Sequence, residues 1–136
     1  MSLLQEASIV QRFSDGEVII SEGIISNNAY IILSGKVRIT KKVDKKTVVI
    51  GTLKEGDVFG EMGLIASTVR SASVSAIGSV AVGFIDKEKF DDLLKLLPED
   101  LRAIIHALVL RLRNTTDMLT KIGSELENTR KNLNPM

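Results

Sequence analysis

The hydrophobic period of this chain changes at Asp86, and that change constrains the fold more than any other feature. Before Asp86, short apolar runs alternate or cluster between polar turns that carry glycine. After it, apolar residues recur at steps of three and four. Strands first and helices last is an α+β arrangement. Ala7 to Phe13 alternates loosely, and Ser14-Asp15-Gly16-Glu17 is a turn signal. Val18 to Ile20 is a short strand closed by Ser21-Glu22-Gly23, and Ser26-Asn27-Asn28 is loop. Tyr30 to Leu33 leads into Ser34-Gly35, which reads as a hairpin turn. Lys36 to Thr40 has the alternation of a half-exposed strand, Lys41 to Lys46 reads as a solvated hairpin tip, and Thr47 to Ile50 returns. Lys54-Glu55-Gly56-Asp57 is another turn, and Ser71 to Ala76 and Ser79 to Ile85 are two strands around Gly78. Seven or eight short strands are expected at this spacing, as in a sandwich or barrel.

Beyond the break, Asp86 suits an N-cap for a helix over Lys87–Leu97, with Phe90, Leu93, Leu94 and Leu97 on one face. Pro98 fits the first position of a further helix, and Glu99 and Asp100 suit its positive end. That helix can run to about Asn132, and the residues after it read as a frayed end. The expected division is residues 1–97 for the strand-rich part with its flanking helix and 98–136 for the long helix of the same domain.

Composition narrows the function. Apolar residues make up 44% of the 136 and charged residues 26%, the balance of a globular chain. Lys and Arg number 18 against 17 Asp and Glu, so there is no basic footprint for nucleic acid. Without cysteine there is no disulfide framework and no thiolate metal site. No run approaches the length of a membrane span, and the first residues lack a signal-peptide pattern. A cytoplasmic location, no membrane partner and no nucleic acid bound by this chain alone are the expectations. His106 is the sole histidine, and the helical repeat places it facing solvent. No nucleophile elbow, Walker loop or metal-ligand spacing occurs, so no catalytic residue, no metal and no enzyme activity are expected.

Chemistry concentrates in one block. Phe59-Gly60-Glu61-Met62-Gly63-Leu64 is followed by Arg70-Ser71-Ala72-Ser73-Val74-Ser75-Ala76. Arginine offers a planar fork to two phosphate oxygens. A glycine-led turn opening a short helix can aim N–H groups at the same phosphate. A glutamate can accept hydrogen bonds from ribose hydroxyls. The set suits a small anionic ligand carrying a sugar. Phe59 to Ala76 resembles the phosphate-binding cassette of cyclic-nucleotide-binding domains, the family that includes the bacterial catabolite activator and the protein kinase A regulatory subunit. The resemblance extends over about Phe13 to Leu119. Gly23, Tyr30, Gly35 and Val37 fall where that family has its first motif, while Ile24, Ser26 and Ala29 depart from its usual residues, and Val69 stands where many members have proline. Tyr30 reads as core.

The resemblance implies an antiparallel β jelly roll flanked by helices, with a long helix after it. It implies that Arg70 neutralises a cyclic phosphate and that Ser71 adds a hydroxyl and a backbone N–H. Glu61 then holds the ribose 2′-hydroxyl, Gly60 and Met62 offer backbone contacts, and Ala72 completes the ligand-binding set. The implied ligand is cAMP, with cGMP as the alternative, and no other cofactor. The segment Arg111 to Thr116 resembles the part of the catabolite activator's long helix that touches adenine, so Thr115 and Thr116 join the ligand-binding set, the alternative being polar positions tolerated in the helix seam.

The long helix carries its own signal. Ile105, Leu112, Leu119, Leu126 and Leu133 take position a of a heptad, and Leu101, Leu108, Thr115, Ile122 and Thr129 take position d. This 3.5-residue seam predicts a parallel homodimer through Leu108 to Leu133, with Glu125 at g facing Arg130 at e across it. An amphipathic helix folded back on its own domain fits the first half as well, where Ile104, Val109 and Leu110 add apolar surface. Two functional readings follow. One is a cyclic-nucleotide-binding regulatory or sensor domain that couples ligand to movement of the dimerisation helix. The other is a coiled-coil interaction module, or a fragment of a transcription regulator, binding another ligand.

Overall fold

The computed structural model describes residues 9–66 and 69–133. Ala7 and Ser8, read as the start of the first strand, and residues 134–136 of the frayed end lie outside the described residues. The chain divides into two compact units between Leu96 and Leu97.

The first unit is an antiparallel β roll with helical segments. Its strands are β1 (Ile9–Phe13), β2 (Val18–Ile20), β3 (Ala29–Val43), β4 (Lys46–Lys54), β5 (Val58–Phe59) and β6 (Ser73–Ile85). A 3₁₀ turn spans Glu61–Leu64 and helix α1 spans Lys87–Leu94. Two long strands organise everything else. β3 and β6 pair along their length, from Ala29 opposite Ile85 to Thr40 opposite Ser73. The start of β3 also pairs with β5 and its second half with β4. The start of β6 also pairs with β2 and its second half with β1. One sheet thus serves different neighbours at its two ends and rolls up on itself.

Six strands are described where seven or eight were expected, and the difference lies at two glycines. Ser34-Gly35 is no hairpin turn: β3 continues through it without reversing. Gly78 does not divide two strands either: β6 is continuous from Ser73 to Ile85. The register slips between Ile32, Ser34 and Lys36, which is the mark of β-bulges that bend a strand without reversing it. Gly35 sits at φ 90° in the bend, and a Cβ there would lie 2.5 Å from the Ser79 carbonyl oxygen. The true reversal is at the basic tip, where Asp44 and Lys45 both take positive φ.

The core lies inside the roll. Ile32, Val37 and Val82 have no exposed surface, and Ile20, Tyr30, Phe59, Val74, Ala76 and Val80 pack around them. Tyr30 stacks on Phe59 with ring centroids 5.1 Å apart and meets Phe84 at 6.0 Å. These are cross-strand partners, since Tyr30 lies opposite both Phe59 and Phe84. A smaller cluster of Ala29, Leu64 and Ile85 ties the 3₁₀ turn to Phe90 and Leu93 of α1. The Asp86 carboxylate accepts from the Lys89 N–H at 2.9 Å, so the expected cap is present. Helix α1 ends at Leu94, earlier than the expected Leu97.

The second unit is helix α2, Glu99–Leu133, 35 residues and about 50 Å long. Pro98 stands just before it, one position earlier than expected, and its carbonyl accepts from the Arg102 N–H at 2.9 Å. Glu99 and Asp100 open the helix and Arg130 and Lys131 close it, each sign matched to the helix dipole. Arg130 donates to Glu127 within the same helix at 2.6 Å, a partner the heptad assignment did not name. Among the described residues no helix is long and apolar enough to cross a membrane.

Ile32→Ala removes a fully buried side chain from the middle of the roll. It is expected to destabilise the chain by about 2–5 kcal/mol, read as a lower urea midpoint.

Candidate functional site

The site is built where β5 ends and β6 begins. Gly60 follows Phe59 of β5 and caps the 3₁₀ turn at φ 72°, a left-handed conformation that glycine adopts without strain. It is also crowded: a Cβ there would lie 2.9 Å from Ile20 Cδ1 and 3.4 Å from Arg70 Nη1. Glu61 opens the turn and is exposed, Met62 and Gly63 are half-buried, and Leu64 plugs into the small cluster below.

Arg70 lies across this turn. It is the one buried polar or charged residue among the described residues, 9% exposed. Its Nη1 donates to the Gly60 carbonyl at 2.8 Å and its Nη2 to the Asn28 carbonyl at 2.5 Å. Its Nε is buried and has no hydrogen-bond partner among the described residues. A guanidinium has five N–H donors, so carbonyls on two sides fix its plane and donors remain for a ligand. Burial pushes the Arg70 pKa below the usual arginine value, while Tyr30 and Glu61 pull it back upward. The group stays charged at any ordinary pH. No ion pair to Arg70 is found among the described residues, because Glu61 acts on it through its field only. A buried cation held only by neutral carbonyls is a strong attractor for an anion.

The backbone at Arg70 is pinned by the loop after β2. The Gly23 N–H donates to the Arg70 carbonyl at 2.9 Å, and the Arg70 N–H donates to the Ile24 carbonyl at 3.0 Å. Val69 bridges to Ile25. This short ladder fixes the chain at the position where the resemblance offers proline. Ser71 is exposed and Ala72 half-buried at the bend into β6.

Of the residues expected to bind ligand, Gly60, Glu61, Met62, Arg70, Ser71 and Ala72 all belong to the first unit. The contacts of Arg70 gather its two ends of chain at one place. Thr115 and Thr116 belong to the second unit. The Thr115 hydroxyl donates to the Arg111 carbonyl one turn back at 2.8 Å. Sequence reasoning missed Asn28 and Gly63. Asn28 acts through its backbone carbonyl, which any residue type provides. Gly63 is required by space, since a Cβ there would lie 2.6 Å from Arg70 Nη2 and 2.7 Å from the Ser26 carbonyl oxygen. The only hint in the sequence was its place three positions after Gly60 in the same block.

With this geometry in view, comparison with known proteins decides the family. The profile of the cyclic nucleotide-binding domain matches residues 10–96. The chain belongs to that family. The domain is 35% identical over 94 residues to the cAMP-dependent protein kinase regulatory subunit of Dictyostelium discoideum, covering 66% of this chain and 29% of that protein. Among solved structures it is similar to the EAL enzyme Bd1971 in its half-site-occupied form. The TM-score there is 0.75 at 31% identity, covering 80% of this chain and 98% of that one. It is also similar to the catabolite activator protein of Thermus thermophilus, with a TM-score of 0.67 at 25% identity, covering 89% of this chain and 57% of that one. The chain spans less than a third of the length of the curated kinase regulatory subunits it matches. The roll with flanking helices and the long helix after it are those of cyclic nucleotide-binding domains.

Gly63→Ala tests the packing around the guanidinium. The added methyl must displace Arg70 or the Ser26 backbone. The variant is expected to fold but to lose about 1–3 kcal/mol of stability in urea denaturation, with the largest amide shift changes at residues near 28, 60 and 70.

Proposed function

We propose that this domain is a sensor for a cyclic nucleotide, with cAMP as the preferred ligand. The observation that carries the reading is the Arg70 guanidinium: buried and oriented by two carbonyls, with no hydrogen-bond partner for Nε and no ion-paired carboxylate among the described residues. A cyclic phosphate is a monoanion of the size and sign that such a fork takes. Ser71 adds its N–H and hydroxyl, Gly60 and Met62 add backbone groups, and Ala72 keeps the approach open. Glu61, exposed at the start of the turn, accepts from the ribose 2′-hydroxyl. The domain regulates and carries out no catalysis of its own.

Support for cAMP comes from the similarity to regulatory subunits of cAMP-dependent kinases. The adenine amino group finds an acceptor in the hydroxyl of Thr115 or Thr116. Ser71, with its hydroxyl, leaves cGMP as the alternative ligand, at about tenfold weaker affinity, one hydrogen bond's worth. The seam of α2 supports a parallel homodimer from Leu108 to Leu133. Leu108, Leu112, Leu119, Ile122, Leu126 and Leu133 are all exposed in the single chain, an apolar stripe that a second copy covers. Ligand then biases two arrangements of α2, which is how occupancy leaves the domain as a signal.

Titration calorimetry of the full chain with cAMP tests the ligand. Binding is expected, and Arg70→Ala is expected to weaken it by about 2–5 kcal/mol, roughly 30-fold or more. Glu61→Gln is expected to weaken it less, because the amide oxygen still accepts from the ribose. Absence of heat at millimolar cAMP, or an Arg70→Ala variant that binds as tightly as the parent, overturns the reading. Analytical sedimentation tests the seam. The full chain is expected to sediment as a dimer at micromolar concentration, and Leu119→Glu with Leu126→Glu is expected to make it a monomer.

A further inference from the structure

Glu22 and Lys41 lie outside the ligand-binding set, yet both reach it. Sequence pattern placed Lys41 on a solvated hairpin tip. In the structure its ammonium instead turns back and donates to the Ser71 carbonyl at 2.6 Å. Glu22 lies beside it, with Oε2 3.6 Å from Lys41 Nζ and Oε1 accepting the Lys42 N–H at 3.0 Å. The Glu22 N–H donates to Ser73 Oγ at 2.9 Å. The ladder already described takes the N–H and carbonyl of Arg70. Every residue from Arg70 to Ser73 except Ala72 is therefore held by a hydrogen bond from the loop after β2 or from β3.

The arrangement has a directional logic. Ser71 and Ala72 form a bend ahead of β6 and make no strand pairing of their own. A bend without ladder bonds samples many conformations unless side chains restrain it. Lys41 supplies that restraint on the carbonyl of Ser71, and Glu22 orients Lys41 from the far side. We propose that Glu22 and Lys41 form a clasp that holds the Arg70–Ser71 backbone in the geometry that presents the guanidinium and the Ser71 N–H to an anionic phosphate. Both are positioning residues: they act through Ser71. This assignment rests on the cyclic-nucleotide reading for the identity of the phosphate but not for the clasp itself.

An ordinary surface ion pair makes a different prediction. The Lys41 side chain is 44% exposed, so its attraction to Glu22 adds little to global stability. A clasp leaves global stability nearly unchanged and alters the local order of the bend and the ligand affinity. The test compares the full chain with Lys41→Met, Lys41→Arg and Lys45→Met. The last removes the same charge at the hairpin tip, where no hydrogen bond to the cassette exists among the described contacts. Amide hydrogen exchange without ligand and cAMP titration are the two readouts, with the urea midpoint as control.

Lys41→Met is expected to speed exchange at residues 71–73 and to weaken cAMP binding about fivefold to tenfold, less than a charge-assisted hydrogen bond's full worth because the contact is exposed and acts through Ser71. Its urea midpoint is expected to stay within error. Lys41→Arg is expected to restore both readouts, and Lys45→Met to leave both at the parent values. Unchanged exchange in Lys41→Met overturns the clasp. So does an equal loss of affinity in Lys45→Met, which makes the effect one of net charge. Faster exchange throughout the roll with a lower urea midpoint makes Lys41 a stability residue and also overturns it. If the parent chain binds no cAMP, the ligand reading falls, and exchange at residues 71–73 alone decides the clasp.

Discussion

One buried positive charge organises the first unit. Moving a guanidinium out of water is unfavourable unless its donors are satisfied, and Arg70 is held by the carbonyls of Gly60 and Asn28 with Nε left over. Those two carbonyls come from opposite sides of the site, one from the turn after β5 and one from the residue before β3. The guanidinium is therefore a strut between them as well as a charge. Its neighbours are shaped to admit it, since neither Gly60 nor Gly63 has room for a methyl group. In the proposed function, an anion that takes the remaining donors neutralises the charge and tightens the strut in one event.

The roll supplies the rigidity this requires. β3 and β6 run the length of the sheet, and Tyr30 joins them to β5 through its contacts with Phe59 and Phe84. The turn that carries Gly60 and Glu61 hangs from β5, and the segment that carries Arg70 feeds β6. The turn is thus anchored to the aromatic cluster, and the Arg70 segment to the pairing of the start of β6 with β2 and with Ile39 and Thr40 of β3. Leu64 anchors the far end of the turn beside Ala29 and Ile85, with Phe90 and Leu93 of α1 packed on them. That contact links the turn of Gly60 and Glu61 mechanically to the first helix after the roll.

Much of this was legible in the residues. The change of period at Asp86, the cap on α1 and the long helix followed from spacing alone. The Gly60-Glu61 and Arg70 pair was readable because its chemistry lies in side chains and in a glycine turn. Three features were not. Gly35 and Gly78 read as chain reversals, but in a rolled sheet glycine also serves bulges, and only the partner strand distinguishes them. Asn28 contributes a carbonyl, which carries no side-chain signature. Lys41 lies in a run of lysines that looks solvated, and its contact with Ser71 depends on the hairpin folding over a segment 30 positions away in sequence.

The second unit carries an apolar stripe whose a and d positions are largely exposed in the single chain. A helix of this length gains most of its stability from packing rather than propensity, so the stripe and the proposed dimer explain each other. The central claim, however, is that Arg70 is the partner of the ligand phosphate, and its own Nε–H reports on that most directly. The ¹H–¹⁵N signal of that group, assigned by its loss in Arg70→Lys, should be followed during addition of cAMP. The account predicts a downfield shift and slowed solvent exchange that saturate with ligand occupancy. A signal that stays unmoved while cAMP binds elsewhere on the chain would contradict it.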